Sequence, residues 1–205
     1  EISGGSAIPQ QPEAFFASPF NPQVRTVLKD LIAEIGRKFP EAAGVALDLR
    51  LSDREILGFS EAARVASITD LGLDPIDLNL QNRAIEENTK LVYQWMNWRR
   101  EQMAMLLKML RKAYRATKPD GKTLVSGTAD YYQQQESNDL RRTQDWRYWM
   151  KQGLADGVLL EGRWLPRYND DRYFADFYEE ASEGDKASIF IPVSNGDHVV
   201  GDSSY

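Results

Sequence analysis

The sequence predicts an α/β fold, specifically a (β/α)8 TIM-type barrel of which about four β/α units are present. Helical patterns alternate with short runs that are apolar throughout, as in strands of a parallel sheet covered by helices. The phosphate-binding patterns GxGxxG and GxxxxGKS/T of doubly wound nucleotide folds are absent from the sequence. Because a complete barrel usually needs about 250 residues, we expect these 205 residues to form part of one, roughly its second half, or a reduced version of it.

The chain is predicted to divide into a short leading segment and one domain. Residues 1–20 contain the stretch SGGSAIPQQP, whose glycines and prolines are typical of a loop or linker. Residues 21–205 then form the partial TIM-barrel-like domain.

The first predicted helix begins at Asn21, which can cap it, has Pro22 at its first position, and ends before Pro40. Seven apolar residues recur at helical spacing and predict one buried face. They are Val24, Val27, Leu28, Leu31, Ile32, Ile35 and Phe39. Residues 44–49 follow as the first strand.

Capping and turn residues mark the later elements. Ser60 can cap a short helix that closes at Gly72, and the KPDG stretch at 118–121 ends a long one. The further predictions, in order, are mostly helix at 76–90, a helix at 91–117, a strand ending at Asp130, a helix capped by Thr143, a strand at 157–161, a helix from Asn169 to Gly184 and a strand at 187–193. Four helical tryptophans at core spacing are predicted to pack: Trp95, Trp98, Trp146 and Trp149.

The composition favours a neutral or small-molecule ligand. With a net charge of -6 and a pI near 5.0, the chain lacks the basic balance that nucleic-acid binding needs. No apolar run approaches the ~20 residues of a membrane span, so a soluble chain is expected. The absence of cysteine removes thiolate chemistry but leaves the compartment open. No cofactor or metal is expected, and the oligomeric state is not predicted.

Three of the four predicted strands end at an acid: Asp48, Asp130 and Glu161. The carboxyl ends of parallel strands meet at one face of a barrel, where catalytic residues collect. Acids gathered there repel, so that one keeps its proton while another stays ionised, and hydrolysis of a glycosidic bond needs that division. We therefore predict a carbohydrate site. Asp48, which LDLR puts between two leucines expected to be buried, is its nucleophile or base, and Glu161 or Asp130 is its acid.

The same acids allow two other interpretations. Strand-end carboxylates also cap helices or pair with arginine, and Arg50, Arg54 and Arg163 lie near them in sequence. The alternative function is then a non-catalytic carbohydrate-binding barrel domain. A third interpretation is a folding domain whose active residues lie in other strands.

Aromatic and basic residues beside the acids are predicted to bind the substrate. Aromatic rings stack on the apolar faces of sugars, and polar neighbours bind the hydroxyl groups. The predicted substrate-binding residues are Arg50, Tyr131, Tyr132, Arg163, Trp164 and Tyr168. The alternative for each ring is packing at the mouth of the barrel.

Several stretches resemble a known family. They are NPQVRTVLKDLIAEIGRKFPEAAGVALDLR with the GFSEAAR that follows, WRREQMAMLLKMLRKAYRATKP, and QDWRYWMKQGLADGVLL. Over roughly residues 20–162 they are similar to the glycoside-hydrolase-like "family 10 glycosylhydrolase" group of bacterial barrel proteins. The resemblance implies a TIM-type barrel that acts on glycans, and it leaves an extracytoplasmic location in a bacterium open.

The resemblance assigns Asp48 to the acid of the group's strand motif and brings Arg50 close to its arginine. The turn motif is matched by Gly58, Ser60 and Arg64. Where relatives have His before Leu-Asp and Tyr-x-Arg-Tyr after it, this chain reads ALDLRL, and LLEGRW replaces a Pro-Met-Tyr type of ending. Glu161 is therefore particular to this chain.

Overall fold

Four parallel strands form one sheet in which each strand neighbours the next in chain order. The computed structural model describes residues 17–49, 58–78, 86–128, 143, 145–161 and 188–190, with the backbone alone for 128, 160, 161 and 188–190. The strands are β1 (Gly44–Leu47), β2 (Lys122–Thr128), β3 (Gly157–Glu161) and β4 (Ser188–Phe190). The predicted α/β class with a parallel sheet is therefore confirmed.

In the described part of the chain, four α-helices accompany the strands. They are α1 (Pro22–Lys38), α2 (Glu61–Leu71), α3 (Glu86–Thr117) and α4 (Trp146–Lys151), and a 3-10 helix spans Pro75–Asp77. The long helix α3 thus begins five residues before its predicted start at 91. The helix predicted from Asn169 to Gly184 lies outside the described residues. Within the described part of the chain, no helix has the length and apolarity needed to cross a membrane.

Local capping chemistry sets the helix ends. The side chain of Asn21 accepts a hydrogen bond from Gln23 N at 2.8 Å, as predicted for the start of α1. Ser60 caps α2, and Gly72 ends it in the left-handed conformation, also as predicted. The prediction of Thr143 as the cap of α4 was wrong, because Asp145 accepts the hydrogen bond from Tyr148 N at 3.1 Å instead.

The apolar stripe of α1 is narrower than the sequence pattern indicated. Ile32 is buried, and Leu28 and Ile35 pack beside it, but Val27 is 64% exposed and Leu31 is 51% exposed. The helix packs on α3 along one side, and none of the described elements covers the adjacent side. The helical spacing of the apolar residues thus predicted a wider buried face than the part of α1 that its neighbours cover.

Two apolar clusters share α3. The sheet core contains, among others, Ile32, Leu107, Val125, Trp149 and Val158, and it joins α1, the second half of α3 and α4 to the sheet. The loop core joins the first half of α3 to α2 and to the segment before α1. It comprises Phe20, Ala63, Val92, Trp95, Met96 and Trp98, with Phe59 packed against them. The four tryptophans predicted to pack are all buried, so that prediction is confirmed.

Within the described ranges, the helices that cover the sheet lie on one of its faces. Val45, Leu47, Val125 and Val158 all pack into the sheet core with α1, α3 and α4. A doubly wound sheet would carry helices on both faces and would reverse its strand order at a switch point. Sequential order with helices on one face is the arrangement of a singly wound β/α fold.

Candidate active site

The strands end at different heights along the carboxyl edge of the sheet. Leu47, the last residue of β1, is in register with Val125, whereas Glu161, the last residue of β3, is in register with Thr128. Asp48 follows Leu47 and therefore stands level with Ser126. Glu161 lies two residues further along the strand direction and two strands away from β1.

Alternation along the strands separates the residues that meet the helices from those on the opposite face, which we call the open face. Because Val45, Leu47, Val125 and Val158 pack against helices, their alternate neighbours belong to the other face. The open face carries Ala46, Asp48, Leu124, Ser126 and Leu159. Ala46 and Asp48 are exposed, while Leu124 and Leu159 are half-buried. The open face is therefore accessible next to β1.

Asp48 is exposed, whereas the residues on either side of it pack against the sheet core. Leu47 and Leu49 are half-buried and pack against the sheet core, while Asp48 between them is exposed. The two leucines expected to be buried are half-buried against the sheet core, and alternation directs Asp48 away from that core. An exposed carboxylate avoids the cost of desolvation.

The other predicted site residues are described only in part. Glu161 is described by its backbone, as the last residue of β3. Those outside the described residues are Arg50, Asp130, Tyr131, Tyr132, Arg163, Trp164 and Tyr168. Asp130 follows the end of β2 at Thr128 by two residues. The carboxyl ends of β1, β2 and β3 therefore lie side by side at one edge of the sheet. The side-chain contacts of the predicted site stay predictions.

A buried arginine near these strand ends was not identified from the sequence. Arg99 on α3 is fully buried, and its guanidinium carbon lies 4.8 Å from the centroid of the Trp95 ring. Burial lowers the pKa of Arg99 to about 9, so it carries its charge at neutral pH. Its available signal was the consecutive pair Arg99-Arg100 directly after Trp98, on the face that supplies the loop core.

The height of Arg99 follows from helix geometry. The turn at 118–121 reverses the chain between α3 and β2, so the end of α3 lies at the amino edge of the sheet. Arg99 precedes Thr117 by 18 residues, which is about 27 Å of helix. A seven-residue strand such as β2 is about 23 Å long. Arg99 therefore lies at the height of the carboxyl edge, on the side of the helices.

A different acid, Asp156, is bound to arginines at the opposite edge of the sheet. Its Oδ1 accepts hydrogen bonds from Arg111 and Arg115 at 2.8 Å each, and its Oδ2 accepts one from Thr123 N at 2.9 Å. Asp156 precedes β3, and Thr123 is the second residue of β2, so this cluster ties α3 to the amino edge. The cluster lies at the edge that contributes to stability, whereas chemistry in parallel β/α folds is found at the carboxyl edge.

No metal cluster is present in the described ranges, where no three His, Cys, Asp or Glu side chains come close enough to hold an ion. The comparison of the sequence with protein families gives a match over residues 5–182 to the family described as glycosyl hydrolase-like 10. The chain belongs to this family. The match confirms the resemblance found in the sequence and extends it beyond residues 20–162 at both ends.

A solved structure shares the fold. The chain is similar to the PgaB (BpsB) glycoside hydrolase domain from Bordetella bronchiseptica, with a TM-score of 0.60 and 17% sequence identity. The similarity covers 89% of this chain and 52% of that one, so the chain spans about half the length of that domain. No curated protein matches the sequence. Membership of the family therefore comes from the sequence match, and the structural similarity supports a glycoside-hydrolase-like fold.

Proposed function

We propose that the chain cleaves glycosidic bonds, with Asp48 as the ionised carboxylate and Glu161 as the proton donor. The observation that supports this proposal is the strand register. Asp48 and Glu161 belong to the same alternate set of positions as Leu159, on the open face, at the carboxyl ends of β1 and β3. Carboxylates on one face of β1 and β3, the two strands that flank β2, can act on a single bound sugar.

The sheet is, in this proposal, one side of a (β/α)8 barrel whose interior is the open face. Sequential parallel strands with helices on one face support the barrel, as does membership of a glycosyl hydrolase-like family. The exposure of Ala46 and Asp48 is consistent with a cleft beside β1. Arg50, Tyr131, Tyr132, Arg163, Trp164 and Tyr168 then bind the glycan around the acids.

The register also bears on the mechanism. Two strand spacings and two residues along the strand separate the α-carbons of Asp48 and Glu161 by about 12 Å in a flat sheet. Curvature of a barrel brings side chains of the inner face toward each other. A nucleophilic pair needs a separation of about 5 Å, whereas a pair that admits a water molecule needs about 6.5–9.5 Å. The wider spacing favours Asp48 as the base that activates water and Glu161 as the acid, with Asp130 as the alternative acid.

The same spacing supports a second candidate function, glycan binding without hydrolysis. If the two carboxyl groups stay further apart than about 9.5 Å, no water molecule can bridge from the base to a bond protonated by the acid. The open face would then hold a glycan through hydrogen bonds and ring stacking alone.

The two functions are separated by measuring hydrolysis and binding on the same polysaccharides. We expect the chain to release reducing ends from at least one polysaccharide of a panel, and Asp48→Asn and Glu161→Gln each to lower the rate about 100-fold or more. Isothermal titration calorimetry of both variants with the same polysaccharide should show that binding is retained. Asp30→Asn, which changes an exposed acid on α1, is the matched control.

The outcomes of these measurements distinguish hydrolysis from binding alone. Full hydrolytic activity in both variants would exclude the assigned acids. Binding of a polysaccharide by the unmodified chain without any release of reducing ends would favour the binding function. Thermal melting of each variant shows whether a lost rate reflects a lost fold.

A further inference from the structure

Three consecutive residues of α3, Trp98, Arg99 and Arg100, each contact a different segment of the chain. Successive residues of an α-helix point about 100° apart. Adjacent side chains therefore diverge and can reach separate neighbours. At this turn α3 is at the height of the carboxyl edge of the sheet, the edge at which the candidate site is proposed.

Trp98 binds α2 and the segment that precedes α1. Its Nε1 donates a hydrogen bond to Asp70 Oδ2 at 2.8 Å. The ring of Phe20 stacks on it with centroids 5.3 Å apart and planes 13° apart. Trp98 thereby connects α3 to α2 and to the segment before α1.

Arg99 packs beside Gly58, which precedes α2 by three residues. Gly58 has φ +129°, and a β-carbon there would lie 3.2 Å from Arg99 Nε and 3.1 Å from Trp95 Cζ2. The following residue, Phe59, packs on Trp95 with ring centroids 5.2 Å apart. Gly58 is therefore pressed against the Trp95–Arg99 pair, and only glycine fits both the space and the backbone conformation.

Arg100 contacts Asp145, the residue that immediately precedes α4. Its Nη1 lies 3.3 Å from Asp145 Oδ2, and the Asp145 side chain is only 13% exposed. Asp145 also caps α4 by accepting the hydrogen bond from Tyr148 N. The Arg100–Asp145 pair therefore sets where α4 begins.

We propose that Trp98, Arg99 and Arg100 form a positioning triplet, in which Arg99 fixes the end of the segment after Asp48 and Arg100 fixes the end of the segment that contains Asp130. A fully buried guanidinium between two apolar clusters is costly, and well-packed apolar residues often give equal or greater stability at such positions. Fixing a particular loop position is a benefit that an apolar side chain does not supply. The consequence for catalysis rests on the proposed function, but the fixing of the two segments does not.

The test is amide hydrogen exchange of the chain without ligand, read in peptides that cover residues 45–60 and 140–150. Arg99→Met should speed exchange at Gly58 and Phe59 about tenfold or more and change the second peptide less than about twofold. Arg100→Gln should give the reverse pattern. Arg115→Gln, which loses an ion pair on the same helix at the far edge of the sheet, is the control and should affect neither peptide selectively.

A selective, crossed pattern supports the triplet, and Arg99→Lys should restore part of the protection because it keeps the charge. Equal effects of Arg99→Met and Arg100→Gln on both peptides, or none on either, would overturn it. If Arg99→Met does not fold, Gly58→Ala tests the same contact from the other side, and Arg100→Gln still tests the second half.

Hydrolysis of the polysaccharide is measured on the same variants as a separate readout. A crossed exchange pattern with no hydrolysis by the unmodified chain would leave the triplet intact and refute the hydrolytic function. Normal exchange in the variants of a chain that does hydrolyse glycans would refute the triplet alone.

Discussion

Replacing Asp156 by Asn should destabilise the fold without touching the candidate site. The carboxylate accepts hydrogen bonds from Arg111, Arg115 and Thr123 N, and its side chain is only 13% exposed. The side-chain amide of asparagine keeps one accepting oxygen, so at least one of these hydrogen bonds is lost. The others then have a neutral acceptor in place of a carboxylate. Hydrogen bonds to charged groups contribute about 1.5–3 kcal/mol each, and breaking a fully buried ion pair costs about 3–5 kcal/mol. For this partly exposed cluster we expect a loss of about 2–4 kcal/mol.

The loss should depend on pH in a defined direction. Burial acts to raise the pKa of Asp156, but the hydrogen bond from Thr123 N and the guanidinium of Arg111 outweigh it, and the net pKa is lowered from 3.8. A carboxyl group with a lowered pKa stabilises the folded state at pH values above its pKa in the unfolded chain. This stabilisation disappears as the pH falls through its pKa in the folded chain. The difference between the unmodified chain and Asp156→Asn should therefore be largest near pH 7 and shrink below about pH 4.

The assay is urea unfolding followed by circular dichroism at pH 7 and at several pH values down to 3. Asp30→Asn, at an exposed position on α1, serves as the control. An unfolding free energy within about 0.5 kcal/mol of the unmodified chain at pH 7, or a loss of equal size at every pH, would show that the cluster does not stabilise the fold as described.

Three further predictions use the same unfolding assay. Gly58→Ala should cost about 1–3 kcal/mol because a methyl group would press on Trp95 and Arg99 at a positive φ. Gly72→Ala, at φ +69° with open space around it, should cost only about 1 kcal/mol. Equal costs would show that the contact of Gly58 with Trp95 and Arg99 does not matter for stability. Trp98→Phe should cost about 1–3 kcal/mol, because the smaller ring packs less well in the loop core and the hydrogen bond to Asp70 is lost, and a neutral result would show that neither contact stabilises the fold. Asp48→Asn should leave stability within about 0.5 kcal/mol, since the side chain is exposed, and a large loss would mean that Asp48 is structural.

The elements of the fold that local chemistry determines were predictable. Asn21 and Ser60 cap their helices because a side-chain oxygen beside a helix start can accept a backbone hydrogen bond whatever the rest of the chain does. Gly72 ends α2 because glycine enters the left-handed conformation without strain. Parallel strands were predicted from apolar runs alone, and their sequential pairing bears this out.

Features that depend on distant residues were not predictable. The partners of Asp156 lie 41 and 45 residues away in α3, so no local pattern distinguishes this acid from Asp48. The two-residue offset between Asp48 and Glu161 follows from the pairing register of β1, β2 and β3, which has no local signal in the sequence. Arg99 occurs in a helix where an arginine is usually solvated, and only the packing of Gly58 and Trp95 around it reveals its burial.

The central claim is that β1 and β3 bring Asp48 and Glu161 to one cleft on the open face, and a crystal structure of the chain with a bound oligosaccharide tests it most directly. The measured quantity is the distance between the two carboxyl carbons. We expect both groups to face the sugar on the side opposite α1 and α3, separated by about 6.5–9.5 Å. Carboxyl groups on opposite faces of the sheet, or an oligosaccharide bound away from both of them, would contradict the proposed site.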